Sequence, residues 1–410
     1  MTGRTTAIRN GLMVLTGMLV TLTVIVFARL AYGLILPAMR QDLGLDYRQA
    51  GLLGTITAIG YVSCVLLGGM SAARIGPRNT VMLGVGAVGL GFVGLALSTG
   101  YLSAMLFMAL LGVGTAFSYA PMVSLLATWF PTRRGLVIGF LSSGVGLGML
   151  TSGLLVPWLN GLFGGSGWRA TWAVFAATAA LVWTMVVVFV RNPPQTSSAP
   201  GQRPSAAEKW AIYRNPRLIT VGAVYGIVGL SYIIQGVFMV SFMIESGHPA
   251  AIAGRLVALT GLMSIGAGPL WGLLSDRIGR GSALMLAMSL VTIGVALPLL
   301  TQSLPAFVLH YLLMGCSVSG MFTMIQAAGT EQVAPRYVPI AFSFVTLFFA
   351  GGQLIGPAVA GWLIEWTGDF RAAFGFTCAG LSVGVYLTNR IRRFSRPTAA
   401  ANVQEGQRAS

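Results

Sequence analysis

Between residues 11 and 390 the chain is a succession of long apolar runs, each closed by a short polar stretch. A run of roughly 20 apolar residues is what an α-helix needs to cross a bilayer. In hydrocarbon every backbone N–H and C=O must be satisfied within the protein, so only helices and closed barrels span it. The runs here are continuous, whereas barrel strands alternate in segments of about ten. The sequence therefore reads as an all-α membrane protein. Twelve spans can be drawn, over about 11–37, 48–69, 79–99, 101–127, 136–160, 169–190, 217–243, 251–273, 282–301, 305–328, 339–364 and 371–390. Only 8% of residues are charged, against about 25% in soluble domains, so lipid rather than water is the main solvent.

The net charge of +16 would suggest nucleic acid in a soluble protein. Here the basic residues lie between apolar runs and form no stripe with aromatics, so they are better explained as topology signals. Of 25 basic residues, Arg40, Arg48, Arg169, Arg255 and Arg371 fall on one face, Arg29 lies within a span, and the rest fall on the other face. The positive-inside rule makes the arginine-rich face, with both termini, cytoplasmic. The first apolar run exceeds the core of a cleavable signal and is expected to stay as a span. Cys64, Cys316 and Cys378 all sit inside apolar runs and show neither a disulfide framework nor metal spacing.

Residues 192–209, NPPQTSSAPGQRPSAAEK, have the composition of a flexible linker and fall near the midpoint. The expected organisation is a six-helix half over 1–191, a cytoplasmic linker over 192–214, a second half over 215–393 and a disordered cytoplasmic tail over 394–410. The halves repeat. GGMSAARIGPRNTVML from Gly68 overlays WGLLSDRIGRGSALML from Trp271 at a shift of 203, which places Arg74 on Arg277 and Gly76 on Gly279. GWRATWAVF, with Arg169, overlays DFRAAFGF, with Arg371, at a shift of 202. RLAYG from Arg29 overlays YIIQG from Tyr232, again at 203. Parallel repeats with a site between them are a transporter architecture.

GLLSDRIGR, Gly272 to Arg280, resembles the loop motif G-x-L-x-D-R-x-G-R of the major facilitator superfamily. That family carries it between spans two and three and again between eight and nine. Both copies are present, the first eroded by Ala73 in place of the Asp. FARLAYGLILPAMRQDLGL, WFPTRRG and AGRLVALTGLMSIGAGPLWGLLSDRIGR are similar to a bacterial branch of uncharacterised YbfB/YjiJ-type transporters. The resemblance implies twelve transmembrane helices in two pseudo-symmetric six-helix halves, a bacterial inner (cytoplasmic) membrane, and a central cavity lined by spans one, four, seven and ten. It also implies that Asp276, Arg277 and Arg280, with Gly272, Gly279, Arg74 and Gly76, hold the halves on the cytoplasmic side. Asp276 is expected near the amino end of span nine, where helix-end amides favour an anion. These charges could also serve topology alone. The small-residue faces GVGLGMLTSG and GGQLIGPAVAG suit close helix approach.

Arg29 is the residue that most needs explaining. A guanidinium cannot shed its charge, and near a helix centre it costs about 2.5–3.5 kcal/mol. No Asp or Glu stands mid-span to pair with it. Facing a wet cavity and an anion would meet the cost; snorkelling to the outer headgroups is the plainer alternative. Tyr32, three residues on, shares its helix face. Tyr232 and Gln235 occupy the matching places in span seven. Tyr119 in span four and Gln326 in span ten are further polar candidates, and each could instead bond a neighbouring helix. His310 is the only intramembrane histidine and the coupling candidate, or else a satisfied bundle residue. Glu245 and Arg255 flank the loop between spans seven and eight as an outer gate or a surface pair.

The expected function is secondary active transport of a small solute, an organic anion such as a carboxylate, by a monomer that exposes its site alternately to each side, with a coupling proton as one option. A drug or metabolite exporter is the rival within transport, and a membrane sensor is the rival outside it. There is no G-x-x-x-x-G-K-[ST] signature and there are two histidines, so neither a nucleotide-driven pump nor an enzyme is expected. No cofactor or metal is expected.

Overall fold

The computed structural model describes residues 2–130, 134–192, 206–333 and 337–394. Among them there is helix and no strand. The first span is composite: α1 (Thr2–Thr21), a π-helical segment (Leu22–Leu30) and α2 (Tyr32–Leu43). Then follow α3 (Tyr47–Ile75), α4 (Pro77–Ala96), α5 (Tyr101–Trp129), α6 (Arg134–Phe163) and α7 (Gly167–Phe189). A short helix, α8 (Ala206–Tyr213), precedes α9 (Pro216–Glu245), α10 (Ala250–Ile278), α11 (Arg280–Leu300), α12 (Leu304–Thr330), α13 (Val338–Thr367) and α14 (Phe370–Phe394). The turn between α6 and α7 is apolar enough for the two to read as one long run, Val137–Phe189. A single 3-10 turn, Gly164–Ser166, with Gly164 at φ +55°, divides them, so twelve spans remain.

Local chemistry sets the helix ends. Asp46 and Gln49 form a reciprocal capping box at the start of α3, with Gln49 N–H donating to Asp46 Oδ1 at 2.6 Å. Asn215 caps α9 ahead of Pro216. The repeated motif glycines show why the motif needs them. Gly76 and Gly279 sit between consecutive spans at φ +87° and +84°, a backbone conformation that L side chains rarely adopt.

Two readings are corrected here. Asp276 stands in the last turn of α10, not at the amino end of α11, because α10 continues to Ile278. Part of the linker is helical: α8 carries AAEKWAIY, whose 8 residues form about two turns of helix with Ile212 buried. Arg133, Arg203, Arg336 and the tail beyond Phe394 lie outside the described residues.

The two halves meet close to the arginine-poor face, at crossings made by glycine. A Cβ on Gly33 in α2 would stand 1.9 Å from the Gly236 carbonyl oxygen in α9. One on Gly51 in α3 would stand 2.2 Å from the Pro357 oxygen in α13. One on Gly153 in α6 would stand 2.5 Å from the Gly254 oxygen in α10. Backbone-to-backbone approach of this kind is available only to glycine. Around it, Arg40 reaches Glu245 at 3.3 Å, the Tyr47 hydroxyl donates to Glu245 at 2.8 Å, and Tyr47 N–H donates to Glu365 at 2.9 Å. The arginine-poor end is shut.

Candidate functional site

Arg29 is placed by the π segment. Five-residue hydrogen bonding brings Ala31 N–H to the Val26 carbonyl at 2.8 Å. The wide turn is held from outside: Thr115 in α5 donates its hydroxyl to the Val24 carbonyl at 2.8 Å, and Phe27 stacks on Phe175 in α7 at 3.9 Å. Such π turns cluster at functional sites. From it the guanidinium crosses to the other half and donates to Gln353 Oε1 in α13 at 2.7 Å. The same guanidinium lies over the ring of Tyr61 in α3, 5.1 Å from its centroid, a cation–π distance. Tyr232 in α9 is within electrostatic reach of it.

These groups sit on the arginine-rich side of the glycine crossings. Next to Arg29, the residues Tyr32, Gly54, Thr57, Met108, Ile233 and Val237 enclose a space of ≈ 10 Å³, room for about one water. Further toward the arginine-rich end lies an aromatic floor. Tyr225 accepts a hydrogen bond from Gln326 Nε2 at 3.0 Å, stacks on Phe349 at 4.5 Å and meets Phe322 edge-on. Tyr119 lies near Tyr61 and Tyr225. Arg29, Tyr61, Tyr119, Tyr232 and Gln326 are all half-buried in the middle of the bundle. These partly accessible polar groups all lie on the arginine-rich side of the shut end.

The family that matches residues 21–389 is described as "Uncharacterised MFS-type transporter YbfB". The chain belongs to the major facilitator superfamily. It is similar to the hexuronate transporter of Bacillus subtilis, with 26% identity over 400 residues covering 90% of this chain and 91% of that one. It is also similar to human monocarboxylate transporter 11, with 26% identity over 331 residues covering 75% and 67%. Among solved structures, a bacterial homologue of the human lysosomal transporter Spinster, in an inward-facing and unoccupied conformation, superposes with a TM-score of 0.77. That match has 18% identity and covers 94% of this chain and 98% of the other. The protein is thus a multi-pass MFS transporter of small solutes, not an enzyme.

Within this MFS fold, the structure brings Arg29 and Tyr32 to one space, with Tyr232 within electrostatic reach of Arg29 and Gln326 bonded to Tyr225 on the aromatic floor. Tyr32 spends its hydroxyl on the Ala50 carbonyl at 2.9 Å, so it contributes its ring to the central space. Gln235 donates to Ser231 Oγ at 3.0 Å and faces a small void between α9, α11, α12 and α14, which Tyr232 also lines. His310 is buried against α11, with Nδ1 2.8 Å from the Gly294 carbonyl, and does not line the central space. Glu245 pairs with Arg40 and Tyr47, while Arg255 is exposed. Arg280 forms an ion pair with Glu331 at the end of α12, inside the second half. In the first half, Arg78 binds Asn192 and the Val187 carbonyl instead. Arg74 and Arg277 are exposed, and Gly272 has open space beside it.

Sequence reasoning missed Gln353 and Tyr61. Gln353 was visible as the single amide within GGQLIGPAVAG, a stretch that otherwise signals packing alone. Tyr61 lies in span two, which the resemblance did not assign to the cavity.

Proposed function

We propose that this MFS protein is a secondary active transporter of a small organic anion, in the first place a carboxylate, working by alternating access across the bacterial inner membrane. One observation carries the substrate class. Among the described residues, the Arg29 guanidinium at the junction of the halves has only neutral partners: the Gln353 amide oxygen, the Tyr61 ring and, within electrostatic reach, the Tyr232 phenol. A fixed cation without a fixed anion selects an anionic guest, and the planar guanidinium fork suits a carboxylate. The carboxylate nature of the hexuronate relative's cargo points the same way. With the arginine-rich face cytoplasmic, the shut end faces outward and Arg29 lies on its cytoplasmic side. The halves, 1–191 and 215–393, rock about the glycine crossings. His310 has its ring nitrogen engaged by a backbone carbonyl, and this reading gives it no coupling role.

The test is a thermal-shift screen of the detergent-purified protein beside Arg29→Gln. The panel is glucuronate, lactate, glucose and tetraphenylphosphonium. Glucuronate or lactate should raise the melting temperature of the wild type and leave Arg29→Gln unmoved, and glucose should move neither. Stabilisation of both proteins by the cation alone would discard the anion reading in favour of an exporter of amphipathic compounds.

A further inference from the structure

Gln353 is the hydrogen-bond acceptor of the Arg29 guanidinium, and it comes from the opposite half of the molecule. We propose that Gln353 is an internal surrogate for the substrate carboxylate. Its amide oxygen holds the place on Arg29 that a carboxylate oxygen takes in the loaded carrier, and substrate binds by displacing it. This inference rests on Arg29 being the anion site.

Three features support it. The first is the residue type. An amide oxygen satisfies a guanidinium with one hydrogen bond to a neutral acceptor, whereas a carboxylate adds the opposite charge and a second oxygen for the bidentate fork. A carboxylate therefore displaces an amide from Arg29, whereas a glutamate at 353 would hold the cation permanently.

The second is rigidity. Gly352 packs backbone-to-backbone on α9, with a Cβ there standing 2.1 Å from the Gly226 oxygen. Gln353 itself is 6% exposed. The amide is thus delivered to Arg29 by a fixed helix and not by a wandering surface side chain.

The third is position. Pro357, one turn further along α13, is the partner of Gly51 at the shut end. The same helix carries the tie to Arg29 and the closed crossing. In the empty carrier the tie satisfies the buried cation while the halves move. Without it, an empty carrier would have to reorient around a bare guanidinium, which is costly in a low dielectric. A loaded carrier would be indifferent, because the substrate covers the charge.

The proposal predicts opposite signs for binding and for empty-carrier return. With glucuronate and lactate as probes, Gln353→Leu should bind the carboxylate about fivefold tighter than wild type, the worth of one displaced hydrogen bond. In proteoliposomes it should keep counterflow exchange and lose most net uptake. Gln353→Glu should bind neither probe. Gln353→Met, of matching length, is scored by the same criteria should the leucine variant fold poorly. Binding by Gln353→Leu or Gln353→Met equal to or weaker than wild type, with Arg29→Gln inactive, overturns the surrogate role and leaves the Arg29 site standing. Wild-type binding by Arg29→Gln removes the site itself, and the surrogate with it.

Discussion

Spans one and seven occupy equivalent places in the two halves, yet they are built differently. Span seven is one unbroken α-helix, Pro216–Glu245. Its amide is engaged within the same helix: Gln235 Nε2 bonds Ser231 one turn back, its Oε1 has no hydrogen-bond partner among the described residues, and Tyr232 meets Phe322 edge-on. Span one is interrupted by the π segment, and it places Arg29 where span seven has Tyr232. Arg29 then finds its acceptor 324 residues away in the other half. The repeat preserves the scaffold and differentiates the chemistry. One cation at the junction is enough to recruit an anion, and a second at 232 would repeat the cost of an intramembrane charge.

The sharpest way to break this asymmetry is Arg29→Gln. It should lower carboxylate affinity by about tenfold to a hundredfold, the range for a hydrogen bond to a charged group, measured by titration calorimetry. Next is the pair of symmetry-related glycines that touch each other. Gly33→Ala pushes a methyl into the Gly236 oxygen, whereas a Cβ on Gly236 meets nothing within 4 Å. Gly33→Ala should lower the melting temperature by several degrees and open the arginine-poor end to a membrane-impermeant thiol reagent applied there, read with a cysteine placed beside the crossing. Gly236→Ala should match wild type in both. Equal behaviour of the two would mean that the crossing is looser than its geometry.

A smaller effect is expected at the rim. Arg40 and Glu245 are a partly exposed pair, so Glu245→Gln should change stability by no more than about 1 kcal/mol. The least effect concerns pH. Arg169 holds Asp42, which also accepts from Trp168, and lowers its carboxyl below the ordinary carboxylate range. A depressed carboxylate adds stability above its unfolded pKa, of about 4, and loses it as pH falls through the folded value. The repeat-mate Arg371 turns its guanidinium to the neutral Gln302 at 2.7 Å and meets Asp369 only through its backbone N–H. A thermal-melt series across pH 2–7 should show a low-pH decline that shrinks in Asp42→Asn and is unchanged in Gln302→Ala.

The scaffold was legible because lipid forces it into the sequence. Continuous apolar runs, arginine bias and a shift of about 203 residues expose the span number and the repeat before any coordinate is known. Arg29 was legible for the same reason, as a charge where lipid forbids one. Its partners were not. Gln353 and Tyr61 are ordinary residues until helices from distant parts of the chain cross beside them. Glu245 looks like a partner of Arg255 along the chain, but the α2–α9 crossing delivers Arg40 to it. The π segment also escaped notice, since no proline or glycine marks it within Leu22–Leu30 and the Thr115 hydroxyl that braces it lies in another helix. α8 hid behind the proline- and serine-rich stretch before it.

The closure at Gly33 has an electrical consequence. Protons cross a protein along unbroken files of hydrogen-bonded water. The space beside Arg29 has room for about one molecule, and beyond it two backbones lie in contact. A fixed guanidinium at the bottleneck also repels hydronium, as arginines do in water-selective pores. In this conformation the carrier is therefore expected to leak few protons across its membrane.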